Sequence, residues 1–273
     1  MPESDISLSL AALLGLVQGV TEFLPISSDG HLAIAAWLWG EVEVPLSMVV
    51  LLHLGTLIAT ALVLRDDVKK LSVDLWRVIR SPRDAMKTAE GRTIITVLVA
   101  SVPTGLIGLA MESSVEAWSR IMPVVAGCLL YSAAWVGSVK WAASRGVSEE
   151  ASLPFGQAVM LGVVQGLAVL PGASRSGSTI ALAMWLGLTG PAAFRLSFLL
   201  SLPAIFGAVV LKLREPEALS ELGMAGAVGI TVSFVVGLVS LTALREIVAR
   251  GRFWAFAVYL IPLALFLFVA GMR

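Results

Sequence analysis

Charged residues and cysteine are scarce in this chain, and neither sign of charge is in excess. Charged residues make up 14% of the 273 positions, the formal net charge is zero and there is one cysteine. Without a basic excess, the composition gives no case for binding nucleic acid. Cys128 lies in an apolar run and is interpreted as a small buried hydrophobe, so no disulfide framework is expected. Residues 1–14 lack a basic n-region, and we expect them to be mature protein rather than a signal peptide.

Apolar residues dominate instead. They make up 58% of the chain, and the mean hydropathy is +0.91, which is typical of an all-α polytopic membrane protein. Two apolar regions, 6–40 and 155–188, are interrupted midway by Pro, Gly and Ser, and each is predicted to form a re-entrant pair of half-length helices. Six further segments are long enough to span a bilayer as helices: 46–64, 93–111, 122–140, 192–213, 223–243 and 253–270.

The order of these elements indicates a duplication. The sequence Gly15-Leu-Val-Gln18-Gly19 recurs as Gly162-Val-Val-Gln165-Gly166, and each copy then reaches a Leu-Pro pair and a hydroxyl-rich turn. We therefore predict a single integral membrane domain over 1–273. It would contain two repeats, 1–140 and 155–273, each with one re-entrant pair followed by three transmembrane helices, which gives six full spans in total.

Loop charge predicts that the two repeats are inverted. Segment 65–92 is rich in cations and is therefore expected on the cytoplasmic side, as a partly amphipathic interfacial helix. Span 93–111 then leads outward to a short loop over 112–120, and the acidic 214–221 loop is also placed outside. The first re-entrant pair consequently enters from outside and the second from the cytoplasm, so the two turns can meet near the midplane. The cations of 65–92 are Arg65, Lys69, Lys70, Arg77, Arg80, Arg83, Lys87 and Arg92.

The second interrupted region contains Pro171-Gly-Ala-Ser-Arg-Ser-Gly-Ser-Thr179 between two apolar segments. An arginine at membrane depth is normally functional and needs a partner. Arg175 can bind an oxyanion through the N–H donors of its planar guanidinium group. The N–H groups at the start of the following helix also favour an anion. The turn is therefore predicted to bind phosphate, with further contributions from Gly172, Ser174, Ser176 and Thr179.

The first interrupted region carries groups that can perform chemistry. Gln18 and Glu22 are four residues apart and share one face of a helix. Ser27, Ser28 and His31 follow the Pro25 that ends that helix. Glu22 could bind a divalent cation or act as a base, and Ser27, Ser28, His31 or an activated water could attack phosphorus, with Arg175 neutralising the developing charge. The combination predicts a phosphoryl-transfer site.

Several nearby residues are interpreted as structural. Ser178 and Gly177 are expected to satisfy backbone groups or to permit close packing. His53, in an apolar span, is interpreted as a hydrogen-bonded packing residue rather than a ligand. Asp29 is expected near the wet mouth of the site.

The two turns together resemble a known family, the undecaprenyl-diphosphate phosphatases, also called bacitracin-resistance proteins. The resemblance rests on Gln18-x-x-x-Glu22-Phe-Leu-Pro-Ile-Ser-Ser-x-Gly-His31 and on Pro171-Gly-x-Ser-Arg-Ser-Gly-x-Thr179. Weaker support comes from His53-Leu-Gly-Thr-Leu and from Ser197-Phe-Leu-Leu-Ser-Leu-Pro203. It extends from about residue 8 to the last span.

The resemblance implies hydrolysis of a C55 isoprenoid diphosphate to its monophosphate, with a divalent cation (Mg²⁺ or Ca²⁺), in the plasma membrane and with the site toward the extracytoplasmic side. It places the metal at Gln18 and Glu22, and phosphate at Ser174, Arg175, Ser176 and Thr179. Three departures are noted: Gln18 stands where some members have a carboxylate, Asp29 replaces an often neutral residue, and an acidic residue expected near Val49 is missing.

A transporter of lipid phosphate or of another anion is the alternative. Inverted repeats with opposed re-entrant helices are transporter architecture, and a phosphate-binding turn serves translocation as well as hydrolysis. A transporter would not need the nucleophile and base of the Glu22–His31 segment. The expected partners are an isoprenoid diphosphate and membrane lipids. The oligomeric state is left open, with a homodimer among the options.

Overall fold

The computed structural model describes residues 6–38, 44, 46–212 and 223–271, and its regular elements there are helices with an isolated β-bridge between Ser148 and Leu188. Short 3₁₀ turns precede the last helix, at Phe253–Ala255, and follow the seventh, at Ala143–Arg145. The helices are α1 (Leu8–Thr21), α2 (Ser28–Leu38), α3 (Leu46–Val63), α4 (Arg65–Arg80), α5 (Pro82–Ala85), α6 (Ala89–Ser119), α7 (Met122–Ala142), α8 (Phe155–Leu167), α9 (Arg175–Trp185), α10 (Gly190–Lys212), α11 (Gly223–Ala249) and α12 (Phe256–Ala270).

The helix lengths confirm a polytopic membrane protein. Within the described residues, five helical segments are long and apolar enough to cross a bilayer, and a sixth is added if α3 and α4, which are bent by 85° relative to each other, count as one span. The helices α1 and α8 are shorter and apolar. The five segments are Ala89–Met111, Met122–Ala142, Gly190–Leu211, Gly223–Ala249 and Phe253–Ala270.

Both interrupted regions form the predicted helix pairs, α1 with α2 and α8 with α9. The amphipathic helix predicted for 65–92 is present over Arg65–Arg80 as α4, and α5 and the start of α6 lie in the rest of that segment. The predicted loop at 112–120 is wrong, because α6 continues as far as Ser119. Residues 112–119 contain no proline or glycine, so nothing in their sequence ends the helix early. The acidic loop with Glu215, Glu217 and Glu221 lies outside the described residues.

Packing explains why the duplicated glycine motif occurs at equivalent places. α1 packs along α11, and α8 packs along α6. A Cβ at Gly15 would lie 2.8 Å from the Gly229 carbonyl oxygen, and one at Gly162 would lie 2.1 Å from that of Ala100. Each glycine therefore permits a close helix crossing that any side chain would block. The first helix of each pair thus packs on a helix from the other half of the chain.

The apolar core lies around the two turns. Its fully buried members include Phe23, Leu129, Ile180, Phe198 and Leu260, which come from both halves of the chain. The Phe23 and Phe198 rings contact each other with their centroids 5.8 Å apart. This packing holds the residues after α1 beside those of α10.

An ion pair at the start of α6 ties that helix to the loop before α8. Arg92 donates to both carboxylate oxygens of Glu150, from Nε at 2.6 Å and from Nη2 at 2.7 Å. The hydrogen bonds from Arg92 hold the pKa of Glu150 below its usual value, and the Ser152 hydroxyl adds to this effect. Leu153 continues the connection, because its N–H donates to Thr96 Oγ1 at 3.0 Å.

We expect Glu150→Gln to lower the free energy of unfolding by up to about 1 kcal/mol, because the pair is partly exposed to solvent. A carboxyl group whose pKa is lower in the folded than in the unfolded protein stabilises the fold at pH values above its unfolded pKa. The difference between wild type and variant should therefore disappear as the pH falls below the ordinary pKa of 4.5. Thermal unfolding in detergent at pH 7 and at acidic pH measures this. A difference that stays constant across that range would contradict the assignment.

Candidate active site

The turn between α1 and α2 carries Glu22. α1 ends at Thr21, and the Glu22 N–H donates to the Gln18 carbonyl at 2.9 Å. Pro25 then prevents the helix from continuing. Ser27 adopts the left-handed region with φ 70°, which costs a non-glycine residue about 1–3 kcal/mol. This reversal brings Ser28, the first residue of α2, back toward Glu22.

The turn between α8 and α9 presents Arg175. Gly172 has φ 99°, and a Cβ there would lie 2.4 Å from the Val125 carbonyl oxygen, so the position requires glycine. Ser174 caps α9, since its Oγ accepts from the Gly177 N–H at 3.0 Å. Ser132 of α7 holds both sides of the turn: its Oγ accepts from the Ser174 N–H at 2.7 Å and donates to the Gly172 carbonyl at 3.0 Å.

The two turns contact each other, as predicted. Arg175 Nη2 donates to Glu22 Oε1 at 2.5 Å, across 153 positions of sequence. The Ser176 hydroxyl donates to the Leu24 carbonyl at 3.3 Å. Residues from the two halves of the chain therefore form one polar centre.

The Glu22 carboxylate is the hub of that centre. Its Oε2 accepts from the Ser28 hydroxyl at 2.7 Å and from Gln18 Nε2 at 3.2 Å, while Arg175 occupies the other oxygen. Only 9% of the residue is exposed. A buried carboxylate is tolerated when it is paired and hydrogen-bonded in this way. A hydroxyl that donates to a carboxylate is also the arrangement of a nucleophile and its base.

His53 lies against this centre and also makes the hydrogen bond expected of a packing residue. Its Nδ1 lies 2.8 Å from the Val49 carbonyl, as a packing histidine would, but its Nε2 lies 3.5 Å from Glu22 Oε2. α3 brings the ring to the carboxylate. The segment His53-Leu-Gly-Thr-Leu supports the family resemblance, but nothing in its sequence indicates a contact with Glu22.

His31 and Ser27, in contrast, have partners away from Glu22. His31 Nδ1 lies 2.8 Å from the Ser27 carbonyl oxygen, and Nε2 lies 2.8 Å from the Tyr259 hydroxyl. The Ser27 hydroxyl accepts from the Gly30 N–H at 3.3 Å, where it caps α2. Among the predicted nucleophiles, Ser28 is therefore the one that the described structure hydrogen-bonds to Glu22.

The hydroxyls of the second turn mainly fix the backbone around Arg175. Thr179 Oγ1 donates to the Arg175 carbonyl at 2.7 Å and also contacts Ser197 Oγ at 2.6 Å. Ser178 donates to the Ser174 carbonyl at 2.8 Å, which confirms its structural interpretation. The phosphate-binding roles of Ser174, Ser176 and Thr179 stay predictions. Sequence reasoning did not single out Ser132 as a support of this turn.

Two buried polar atoms of the centre lack a hydrogen-bond partner within the described chain, Arg175 Nη1 and Gln18 Oε1. Such atoms are rare in proteins and are typical of a ligand-binding site. The free N–H group of Arg175 suits an oxygen of a phosphate. Gln18 Oε1 and the Glu22 carboxylate oxygens are of the type that Mg²⁺ and Ca²⁺ prefer as ligands, and phosphate oxygens commonly complete such a site. The described residues form no group of three His, Cys, Asp or Glu that could hold a metal without such help.

The helices and this centre define a polytopic membrane protein whose two broken-helix turns join a hydroxyl, a carboxylate and an arginine. The chain belongs to the family of the bacitracin resistance protein BacA, whose model matches residues 11–266. This confirms the resemblance inferred from the two motifs.

Individual relatives cover the same length. The chain is 40% identical over 274 residues to an undecaprenyl-diphosphatase of Desulfosudis oleivorans, with 96% of this chain and 97% of the relative covered. It is 38% identical over 272 residues to one of Desulforapulum autotrophicum, with 95% and 96% covered. It is 36% identical over 251 residues to an undecaprenyl-diphosphatase of Korarchaeum cryptofilum, with 91% and 94% covered.

Proposed function

We propose that this protein hydrolyses undecaprenyl diphosphate to undecaprenyl phosphate and inorganic phosphate, and so recycles the lipid carrier used for cell-wall polymers. The observation that carries the proposal is that each carboxylate oxygen of Glu22 accepts a hydrogen bond from a different functional group. Ser28 donates to one of its oxygens at 2.7 Å, and Arg175 donates to the other at 2.5 Å. Family membership and the names of the relatives support the same reaction.

The plasma membrane is the location that the family resemblance implies, and the proposed orientation rests on loop charge and on the packing of the two halves. The repeats 1–140 and 155–273 would be inverted, with six spans in total and the site toward the extracytoplasmic side. Helix α1 of the first half packs on α11 of the second, and α8 of the second half packs on α6 of the first. This reciprocal packing supports the arrangement. The diphosphate would sit between the two turns while the isoprenoid tail leaves sideways into lipid. A homodimer stays a prediction.

In the first chemical step, Ser28 Oγ attacks the terminal phosphorus and its proton passes to Glu22. A bond forms between Ser28 Oγ and phosphorus, and the bond from phosphorus to the bridging oxygen breaks, which releases undecaprenyl phosphate. Arg175 stabilises the charge that develops on the phosphoryl oxygens, for which its Nη1 group is free. Peptide N–H groups at the start of α9 can act in the same direction.

In the second step, water attacks the phosphoserine. The new oxygen–phosphorus bond replaces the bond to Ser28, inorganic phosphate leaves, and Ser28 regains a proton. The proton that Glu22 took in the first step leaves with undecaprenyl phosphate, so Glu22 is again a carboxylate. Placed beside Ser28, it accepts the proton of the water and passes it to the departing Ser28 Oγ, so that one carboxylate serves both steps. We assign the attack to Ser28 rather than to Ser27, because the Ser27 hydroxyl caps α2.

A divalent cation, Mg²⁺ or Ca²⁺, would be held by Gln18 Oε1 and Glu22 together with diphosphate oxygens. Bound there, it would neutralise phosphate charge. With one carboxylate at this place instead of two, the protein contributes few ligands, and the proposal is that substrate oxygens supply the others.

The proposal is tested by phosphate release from C15 and C55 isoprenyl diphosphates by purified protein in detergent, with Mg²⁺, with Ca²⁺ and with EDTA. We expect release that requires a cation and that falls about 10²-fold in Glu22→Gln, because the carboxamide cannot accept the proton. Ser138→Ala is the control variant and should keep normal turnover. The Ser138 hydroxyl accepts a hydrogen bond from Trp185, away from the site.

Folded wild-type protein that releases no phosphate under any of these conditions would refute the hydrolase. A transporter would also use Arg175 as an anion ligand, but it has no need for a hydroxyl that donates to a carboxylate. Movement of a labelled isoprenyl phosphate across liposome membranes, without hydrolysis, is the result that would favour it.

A further inference from the structure

The orientation of the His31 ring is set at both nitrogens. Nδ1 faces the Ser27 carbonyl oxygen at 2.8 Å, and because a carbonyl can only accept, Nδ1 carries a hydrogen. In the neutral ring Nε2 is then an acceptor, so the Tyr259 hydroxyl donates to it at 2.8 Å. The two rings also stack, with their centroids 5.8 Å apart and an interplanar angle of 21°.

Tyr259 comes from a distant part of the chain. It lies 228 positions after His31, on α12, a helix that packs extensively against α7. Its neighbours Val258 and Ile261 are 66% and 45% exposed, which places the residue at the edge of the apolar outer surface. The phenol thus joins this outer helix to the first turn of the site.

His31 forms two hydrogen bonds with one peptide group, the one between Ser27 and Ser28. The Ser27 carbonyl accepts from the His31 ring and also from the His31 backbone N–H, at 3.2 Å. Because a peptide group is planar, fixing that carbonyl also fixes the N–H and the Cα of Ser28. Ser27 itself is held in the left-handed region, where a non-glycine residue stays only if its surroundings enforce it.

We propose that Tyr259 is a positioning residue of this reaction, which acts through His31. Its hydroxyl orients the imidazole, the imidazole holds the Ser27 carbonyl, and the Ser27–Ser28 peptide then keeps the Ser28 hydroxyl within hydrogen-bond distance of Glu22. In this arrangement His31 also positions the nucleophile, and its contacts are with Ser27 and Tyr259. The inference rests on the proposed hydrolase for its kinetic consequences, but its structural part stands independently.

Kinetics of three variants and one control variant test the inference. Tyr259→Phe keeps the stacked ring but loses the donor, and kcat should fall about tenfold while KM stays within about twofold. His31→Asn can still donate to the Ser27 carbonyl, so it should retain about tenfold more activity than His31→Ala. Tyr131→Phe, which removes the other tyrosine hydroxyl of the chain, is the matched control and should equal wild type.

A double-mutant cycle separates positioning from general loss of structure. Asparagine has no counterpart of Nε2, so Tyr259→Phe should have no further effect in the His31→Asn background. Additive effects of the two substitutions would overturn the proposal. So would a His31→Asn variant as inactive as His31→Ala, since that result would give the imidazole a direct chemical role.

A measurement that needs no catalysis distinguishes failure of this inference from failure of the hydrolase. The chain has two histidines, so ¹⁵N-histidine labelling gives two imidazoles, and His31→Asn assigns them. We expect the His31 ring to carry its hydrogen on Nδ1, and its Nε2 signal to shift in Tyr259→Phe but not in Tyr131→Phe. An unchanged Nε2 signal in Tyr259→Phe would refute the contact, whether or not the protein hydrolyses the lipid.

Discussion

Replacing Ser28 with alanine should lower turnover by about 10⁴-fold or more, because loss of a nucleophile removes the covalent route altogether. Glu22 would keep Arg175 and Gln18, so the site should stay folded around the missing hydroxyl. Phosphate release at saturating isoprenyl diphosphate measures the loss. Mass spectrometry of wild-type protein quenched during turnover should detect a phosphoryl group on the peptide that contains Ser28.

Ser27→Ala is the matched comparison for this prediction, since it removes the neighbouring hydroxyl. It takes away the cap of α2, which is worth about 1 kcal/mol, and should lower activity only modestly. The reverse ranking, with Ser27→Ala inactive and Ser28→Ala nearly normal, would assign the attack to Ser27. A Ser28→Ala variant that keeps more than about 1% of wild-type turnover would contradict a serine nucleophile at this position.

The broken helices could be predicted because local sequence determines them. Pro25 ends α1, Gly172 permits the second turn and Ser174 caps α9, and each of these effects reaches only a few residues along the chain. The pairing of Glu22 with Arg175 could also be predicted from the sequence. An arginine and a glutamate inside a membrane each require a partner, and the predicted duplication places the two residues in corresponding turns.

The contacts of the two histidines could not be predicted in the same way. His53 reaches Glu22 only because of how α3 packs beside the first turn, and the Tyr259 contact depends on where α12 lies. Such contacts are set by tertiary packing, which leaves no periodic or local signal in the sequence. The same limit explains why the sequence does not distinguish Ser27 from Ser28 as a nucleophile: their hydrogen bonds do, since Ser28 donates to Glu22 and the Ser27 hydroxyl caps α2.

The centre also explains how a buried carboxylate is tolerated inside a membrane protein. Glu22 is buried, and a lone buried charge would be very costly. Arg175 offsets its charge, Gln18 and Ser28 add hydrogen bonds, and His53 lies 3.5 Å away. Removing one member of such a group is more damaging than its net contribution to stability suggests, because the others are left unpaired.

Arg175→Lys should lower kcat/KM by about 10³-fold, the second large effect that the site predicts. Arg175 Nη2 donates to Glu22, while Nη1 remains free to donate to a phosphate oxygen. The single ammonium group of lysine cannot reach both acceptors. Lysine keeps the positive charge beside Glu22, so the variant should fold, whereas Arg175→Ala would leave a buried carboxylate without its cation and should lose stability as well.

The control for this prediction is Arg195→Lys, since Arg195 pairs with Asp67 and its side chain is 45% exposed. That variant should differ little from wild type in kcat/KM and in thermal unfolding. An Arg175→Lys protein that unfolds at the wild-type temperature and keeps wild-type kcat/KM would show that one cation is sufficient. The planar fork of Arg175 would then have no part in stabilising the phosphoryl group, and only its pairing with Glu22 would remain.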